Sequence, residues 1–225
     1  AARSGQADAC MRLFERVAQG EADAQYDLGW LYDEGQDVPQ DRGRAAELWA
    51  LAAAQGHAKA QYNLGVLYDT GDSVEEDKAR AMALWEQAAA QEHPDALFNL
   101  GCAFSEGEGV AEDAGRSAEL WARAAALGHA EAKSELGCLC STGRGVGQDM
   151  ARAVQLWTEA ADLGDAQGQY NLGVAFYQGL VVQKDIKRAL ALWEAAKDQG
   201  DLDAQSALIR HKGDAVVNLC ERTAS

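Results

Sequence analysis

This 225-residue chain predicts an all-α fold, a right-handed α/α superhelical solenoid of 36-residue helix-turn-helix repeats, and three observations carry that reading. Displaced by 36 positions, the sequence returns on itself: Leu28-Gly29, Leu64-Gly65, Leu100-Gly101, Leu136-Gly137 and Leu172-Gly173 fall in one register. Self-similarity at a fixed period of roughly 20 to 50 residues marks a stacked array. Each period contains two apolar stripes at helical spacing, and glycine and aspartate recur where helices should stop and start.

The first stripe is the helix A of each unit. In residues 58–93 it runs through Ala60, Leu64, Gly65, Leu67 and Tyr68, one continuous apolar arc at 100° per residue. Gly65 lies inside the helix, where glycine costs about 1 kcal/mol relative to alanine. Its return in every unit implies a close contact with no room for a side chain. Gly71 and its equivalents Gly35, Gly107, Gly143 and Gly179 fall at the left-handed residue that ends such a helix.

A loop with a recurring valine (Val38, Val74, Val110, Val146, Val182) leads to Asp41, Asp77, Asp113, Asp149 and Asp185. Each aspartate can accept from the orphan amides that open helix B. Helix B shows Ala81, Leu84, Trp85, Ala88 and Ala89 on one face, with tryptophan recurring as Trp49, Trp121, Trp157 and Trp193. Neither helix can bury its stripe alone, so the units must stack. The repeats are 22–57, 58–93, 94–129, 130–165 and 166–201 of a single 1–225 repeat domain. Residues 1–21 read as a partial N-terminal repeat, and 202–225, where Ile209 replaces the helix A glycine, as C-terminal capping helices.

Composition narrows the function. Thirty-six acidic against 20 basic residues give a net charge of −16, which repels phosphate backbones and argues against nucleic acid as a partner. No apolar run is long enough to span a bilayer. The chain opens on AARSGQADAC without a methionine and reads as a piece of a longer protein. Cys10, Cys102, Cys138, Cys140 and Cys220 are odd in number and lack paired spacing. They read as free thiols, favouring a reducing, cytoplasmic compartment.

The pattern AxAQYNLGxLYxxGxxVxxDxxxAxxLWxxAAxxG, taken from positions 58–93, resembles the Sel-one-like repeat, a relative of the tetratricopeptide repeat. The resemblance implies a non-catalytic scaffold or adaptor that assembles other proteins. Secreted cysteine-rich members of that family carry a disulfide in each repeat, a pattern absent from this sequence.

No residue set suggests catalysis. The five aspartates are helix caps set one repeat apart, too far for paired acid/base work. His57, His93 and His129 sit in the turns before helix A, too far apart to share a metal ion. There is no nucleophile motif or phosphate loop, and neither a cofactor nor a metal is expected.

The informative residues lie beside the core arc on helix A. Tyr26, Tyr62, Phe98 and Tyr170 form one row, with Ser134 in the fourth unit, and Trp30, Val66, Cys102 and Val174 the next, with Cys138. These rows either line the concave groove or pack sideways against the next unit, and the sequence leaves both open. If they line it, Tyr and Trp with Asp33, Lys59, Asp69, Asp95 and Glu131 on the rim make an anchor surface for a protein or peptide, basic given the excess of acid. An adaptor of this kind should be a monomer. A structural or multimerising spacer of a longer repeat protein is the second reading, and a hydrolytic one finds no supporting residue.

Overall fold

The computed structural model describes residues 11–223, with side chains to residue 212, and among these residues there are helices and turns and no strands. Residues 11–18 form α1. The A helices are α2 (Ala22–Glu34), α4 (Ala58–Thr70), α6 (Pro94–Glu106), α8 (Ala130–Thr142) and α10 (Ala166–Gln178). The B helices are α3 (Arg42–Ala54), α5 (Lys78–Ala89), α7 (Ala114–Ala126), α9 (Met150–Asp162) and α11 (Ile186–Asp198), and α12 (Leu202–Thr223) closes the order. Residues 1–10 of the partial first repeat, with Cys10, and residues 224–225 of the tail lie outside the described residues, as does the side chain of Cys220.

The described residues fall into two compact units divided between Glu112 and Asp113. In each unit a B helix packs on the A helix of its own repeat and on the next A helix: α3 on α2 and α4, α9 on α8 and α10.

Both helix ends follow from the residues at them. Gly35, Gly71, Gly107, Gly143 and Gly179 hold φ between 69° and 79°, the left-handed conformation that only glycine adopts without a Cβ penalty. The carboxylates of Asp41, Asp77, Asp113, Asp149 and Asp185 accept from the backbone amides of Arg44, Arg80, Arg116, Arg152 and Arg188 at 2.9–3.0 Å.

The contact inferred at the helix A glycine is with a tryptophan. A Cβ on Gly29, Gly65, Gly137 or Gly173 would stand 2.5–2.6 Å from the indole nitrogen of Trp49, Trp85, Trp157 or Trp193 of the same repeat. Each indole N–H donates to a helix A carbonyl three residues before that glycine, of Tyr26, Tyr62, Ser134 or Tyr170, at 3.1–3.3 Å. These tryptophans are at most 6% exposed. The ring is thereby desolvated on its apolar faces and satisfied at its one polar atom.

Within a repeat, the start of helix A and the end of helix B are joined by a contact the apolar arc does not announce. Gln25 and Gln61 are buried in helix A, and Gln55 and Gln91, from the ends of the following B segments, donate to their side-chain oxygens at 2.8 and 2.9 Å. Gln199 does the same to Gln169 at 3.0 Å.

Where capping helices were expected there is one 22-residue helix, α12. Ala215 stands where five earlier repeats have the left-handed glycine, so the helix runs on past the usual stop. Ile209, in place of the tryptophan-seating glycine, is 63% exposed.

The second loop position after helix A is also left-handed: Gly109 and Gly145 occupy it with φ 72°, but in the fifth repeat it is Val181 at φ 60°. A β-branched residue there is strained by about 1–2 kcal/mol. Val181 is exposed and packs on little, so Val181→Gly is expected to stabilise the protein by about 1 kcal/mol, raising the melting temperature by roughly 2–4 °C. A melting temperature lower than that of the parent chain would contradict this account of the loop.

Candidate interaction surface

The aromatic row of helix A does two things at once. Tyr26 stacks on His57 with ring centroids 4.7 Å apart, and Tyr62 stacks on His93 at 5.0 Å. Those histidines close their repeats and are the N-cap residues of the A helices that follow, α4 and α6. The Nδ1 of His57 accepts from the Ala60 amide at 3.1 Å and that of His129 from Ala132 at 3.2 Å. His57 is thus both a helix cap and a stacking partner, a double role its spacing alone does not disclose. In the fourth repeat the row residue is Ser134 and the next cap is Asp165: the serine hydroxyl donates to the carboxylate, which also caps the Gly168 amide at 2.6 Å.

Sideways packing does not use up the row, because these residues also line clefts between successive A helices. A cleft of about 290 Å³ separates α2 from α4, floored by Trp49, walled by Trp30, Tyr62 and Val66, and edged by Asp33 and Glu34. Trp30 is 39% exposed and shared with a second hollow that includes Tyr26 and Asp27. The structure therefore brings together Tyr26, Trp30, Tyr62 and Val66.

One repeat on, Cys102 lines a cleft of about 160 Å³ between α4 and α6, floored by Trp85 and Met82. Here the rim is neutralised. Lys78 bridges Asp69 at 2.9 Å and Glu108 at 3.0 Å, and hydrogen bonds to these two carboxylates raise its pKa. Arg42 makes the equivalent link from Asp33, at 3.3 Å, to Asp72. Phe98 is half-buried in the same helix as Cys102. Of the other expected rim residues, Lys59 and Glu131 are exposed and Asp95 half-buried.

In the second unit, Tyr170 and Val174 line a cleft of about 300 Å³ between α10 and α12, floored by Trp193. The intervening Cys138 is half-buried, accepting from the side-chain amides of Asn171 at 3.4 Å and Gln167 at 3.8 Å. Burial, with the Glu135 charge second, pushes its thiol up to about 11, so it is a protonated acceptor rather than a nucleophile. Cys102, Cys138 and Cys140 are free thiols. Among the described residues no cluster of three or more His, Cys, Asp or Glu side chains could hold a metal ion, and no helix is long and apolar enough to cross a membrane.

The repeat register and these contacts match a known family model, the Sel1 repeat, at residues 22–57, 58–93, 94–129, 130–165 and 166–201. The chain belongs to the Sel1 repeat family. Sel1 repeats form non-catalytic scaffolds that generally mediate protein–protein interaction. Among solved structures, the chain is similar to c5321, a protective antigen of uropathogenic Escherichia coli strains displaying an SLR fold, at 34% identity and a TM-score of 0.78. The match covers 86% of this chain but 41% of that one, so the chain spans well under half the length of the antigen. A Sel1 repeat protein from Oxalobacter formigenes is 33% identical with a TM-score of 0.77, over 84% of this chain and 77% of that one. The immunity protein Pa5087 from Pseudomonas aeruginosa is 25% identical with a TM-score of 0.53, over 81% and 67%. No curated protein matches.

One Sel1 cap differs from its neighbours. His93 has Pro94 after it and makes no capping bond, and its Nδ1 is buried without a partner. Burial lowers its pKa, against the opposing pull of Asp95 and with a smaller push from Lys59. The unfolded chain therefore takes up this proton first, so stability is lost as pH falls through the ordinary histidine range toward the depressed value. Chemical denaturation between about pH 7 and about pH 5 should show a steeper loss in the parent chain than in His93→Asn. Identical slopes would mean that this ring titrates alike in both states.

Proposed function

We propose that the chain is a docking scaffold with no cofactor and no turnover, whose A-helix face in the unit up to Glu112 holds a partner segment carrying apolar and basic side chains. The observation that carries this reading is Trp30. A tryptophan is seldom left this exposed without a use, and this one is 39% exposed between two adjoining hollows, with Asp27, Asp33 and Glu34 around it. Large aromatics in desolvated pockets with a polar rim are the usual anchors of protein recognition. The neighbouring tyrosines are held by the His57 and His93 rings, so the surface is ordered before a partner arrives and loses little entropy on binding.

The acid sets the sign of the partner. A net charge of −16 accelerates the approach of basic segments and opposes nucleic acid. The second reading, a spacer that stacks on further repeats, draws support from Leu202 and Ile209, which are 74% and 63% exposed on α12.

A peptide array of apolar segments bearing lysine or arginine tests the first reading. Trp30→Ala should weaken the best binder by about tenfold or more, and added salt should weaken the parent complex, since rim charges are screened within about 10 Å. An unchanged array with Trp30→Ala opposes the reading, and concentration-dependent mass in light scattering would favour the spacer.

A further inference from the structure

The Trp193 cleft repeats the architecture of the Trp49 cleft with its charge reversed. Read in the 36-residue register, Arg210 and His211 stand where the earlier cleft has Val66 and Leu67. Tyr177 and Gln178 stand where it has Asp33 and Glu34. The floor remains tryptophan and the volume is nearly the same, about 300 against about 290 Å³.

None of the described residues lining the later cleft is acidic, and among the described residues no carboxylate pairs with Arg210. Tyr177 is fixed from two sides, its hydroxyl 3.4 Å from His211 Nδ1 and its ring 5.1 Å from that of Trp193. Lys184 adds a third base, 5.7 Å above the same ring. On a chain with a net charge of −16, a hollow whose described lining includes Arg210 and His211 and no acid is a local inversion.

We propose that this cleft docks an acidic segment of a partner protein. An apolar side chain enters over Trp193 between Tyr170 and Val174 on α10 and Ala207 on α12, and a neighbouring carboxylate meets Arg210 and His211. Arginine suits this role, because its planar guanidinium can hold both oxygens of a carboxylate. The proposal rests on reading the A-helix face as a docking surface, but assigns the second unit a partner of opposite sign.

Fluorescence anisotropy on the full chain tests it, with one labelled peptide alternating leucine and glutamate and a matched one alternating leucine and lysine. Arg210 is exposed, so Arg210→Glu should keep the fold, which circular dichroism checks, with Arg210→Gln as a milder variant. The Leu/Glu peptide should bind saturably, about tenfold or more weaker with Arg210→Glu, which corresponds to about 1.4 kcal/mol, and unchanged with Trp30→Ala. Absence of binding, equal affinity in Arg210→Glu, or equal weakening by Trp30→Ala overturns the proposal. So does self-association of the parent chain that Arg210→Glu abolishes in sedimentation velocity, because the occupant would then be a second copy. Loss of the Leu/Lys arm alone would remove the Trp30 reading and leave this one standing.

Discussion

An indole seated on a glycine holds the first, second, fourth and fifth repeats together. Helix A offers a notch at Gly29, Gly65, Gly137 or Gly173, and helix B fills it with a ring whose nitrogen lies 2.5–2.6 Å from where a Cβ would be. The notch admits one shape, so it fixes both the spacing of the two helices and their rotation. The indole N–H bond to a helix carbonyl adds a direction, since a flipped ring would bury an unpaired donor. The cap residue also ties helix B to helix A, since the Asp41 and Asp77 amides donate to the Tyr32 and Tyr68 carbonyls at 2.8 Å.

Beyond the notch, the contacts within a repeat come in matched alternatives. Gln25 with Gln55 and Gln61 with Gln91 pair two amides, and at the corresponding places in the third repeat stand Leu97 and Leu127. Tyr62 with His93 gives a ring stack where Ser134 with Asp165 gives a charge-assisted hydrogen bond. A buried amide needs a partner, and a leucine opposite it would leave it unsatisfied. The repeats share one seat and differ in these side pairs, and their clefts differ too: Asp33 and Glu34 edge one, Arg210 and His211 another.

The period, the caps and the glycine stops were legible in the sequence because each rests on local chemistry repeated five times. The notch at Gly65 was legible as a close contact, but its partner was not, since nothing local says which ring 20 residues away fills the space. For the row of Tyr26, Trp30, Tyr62, Val66, Phe98, Cys102, Tyr170 and Val174, helical rotation left groove lining and sideways packing both open; all of these but Phe98 line clefts. Two things escaped. The stacking of Tyr26 and Tyr62 on cap histidines joins the two ends of one repeat, invisible to a reading made one helix face at a time. The reversal of charge at Arg210 sits in a tail that the periodic pattern had already abandoned at Ile209, so its membership in the valine and cysteine row went unread.

The notch and the ring act as one unit, and a double-mutant cycle between Gly65→Ala and Trp85→Leu measures that directly by chemical denaturation. Each single change should destabilise by about 2–4 kcal/mol, the first by collision and the second by an empty seat. The two together should cost less than their sum by about 1 kcal/mol or more, because the shorter side chain makes room for the methyl group. Additive effects would contradict the claim that glycine is present at position 65 to receive tryptophan.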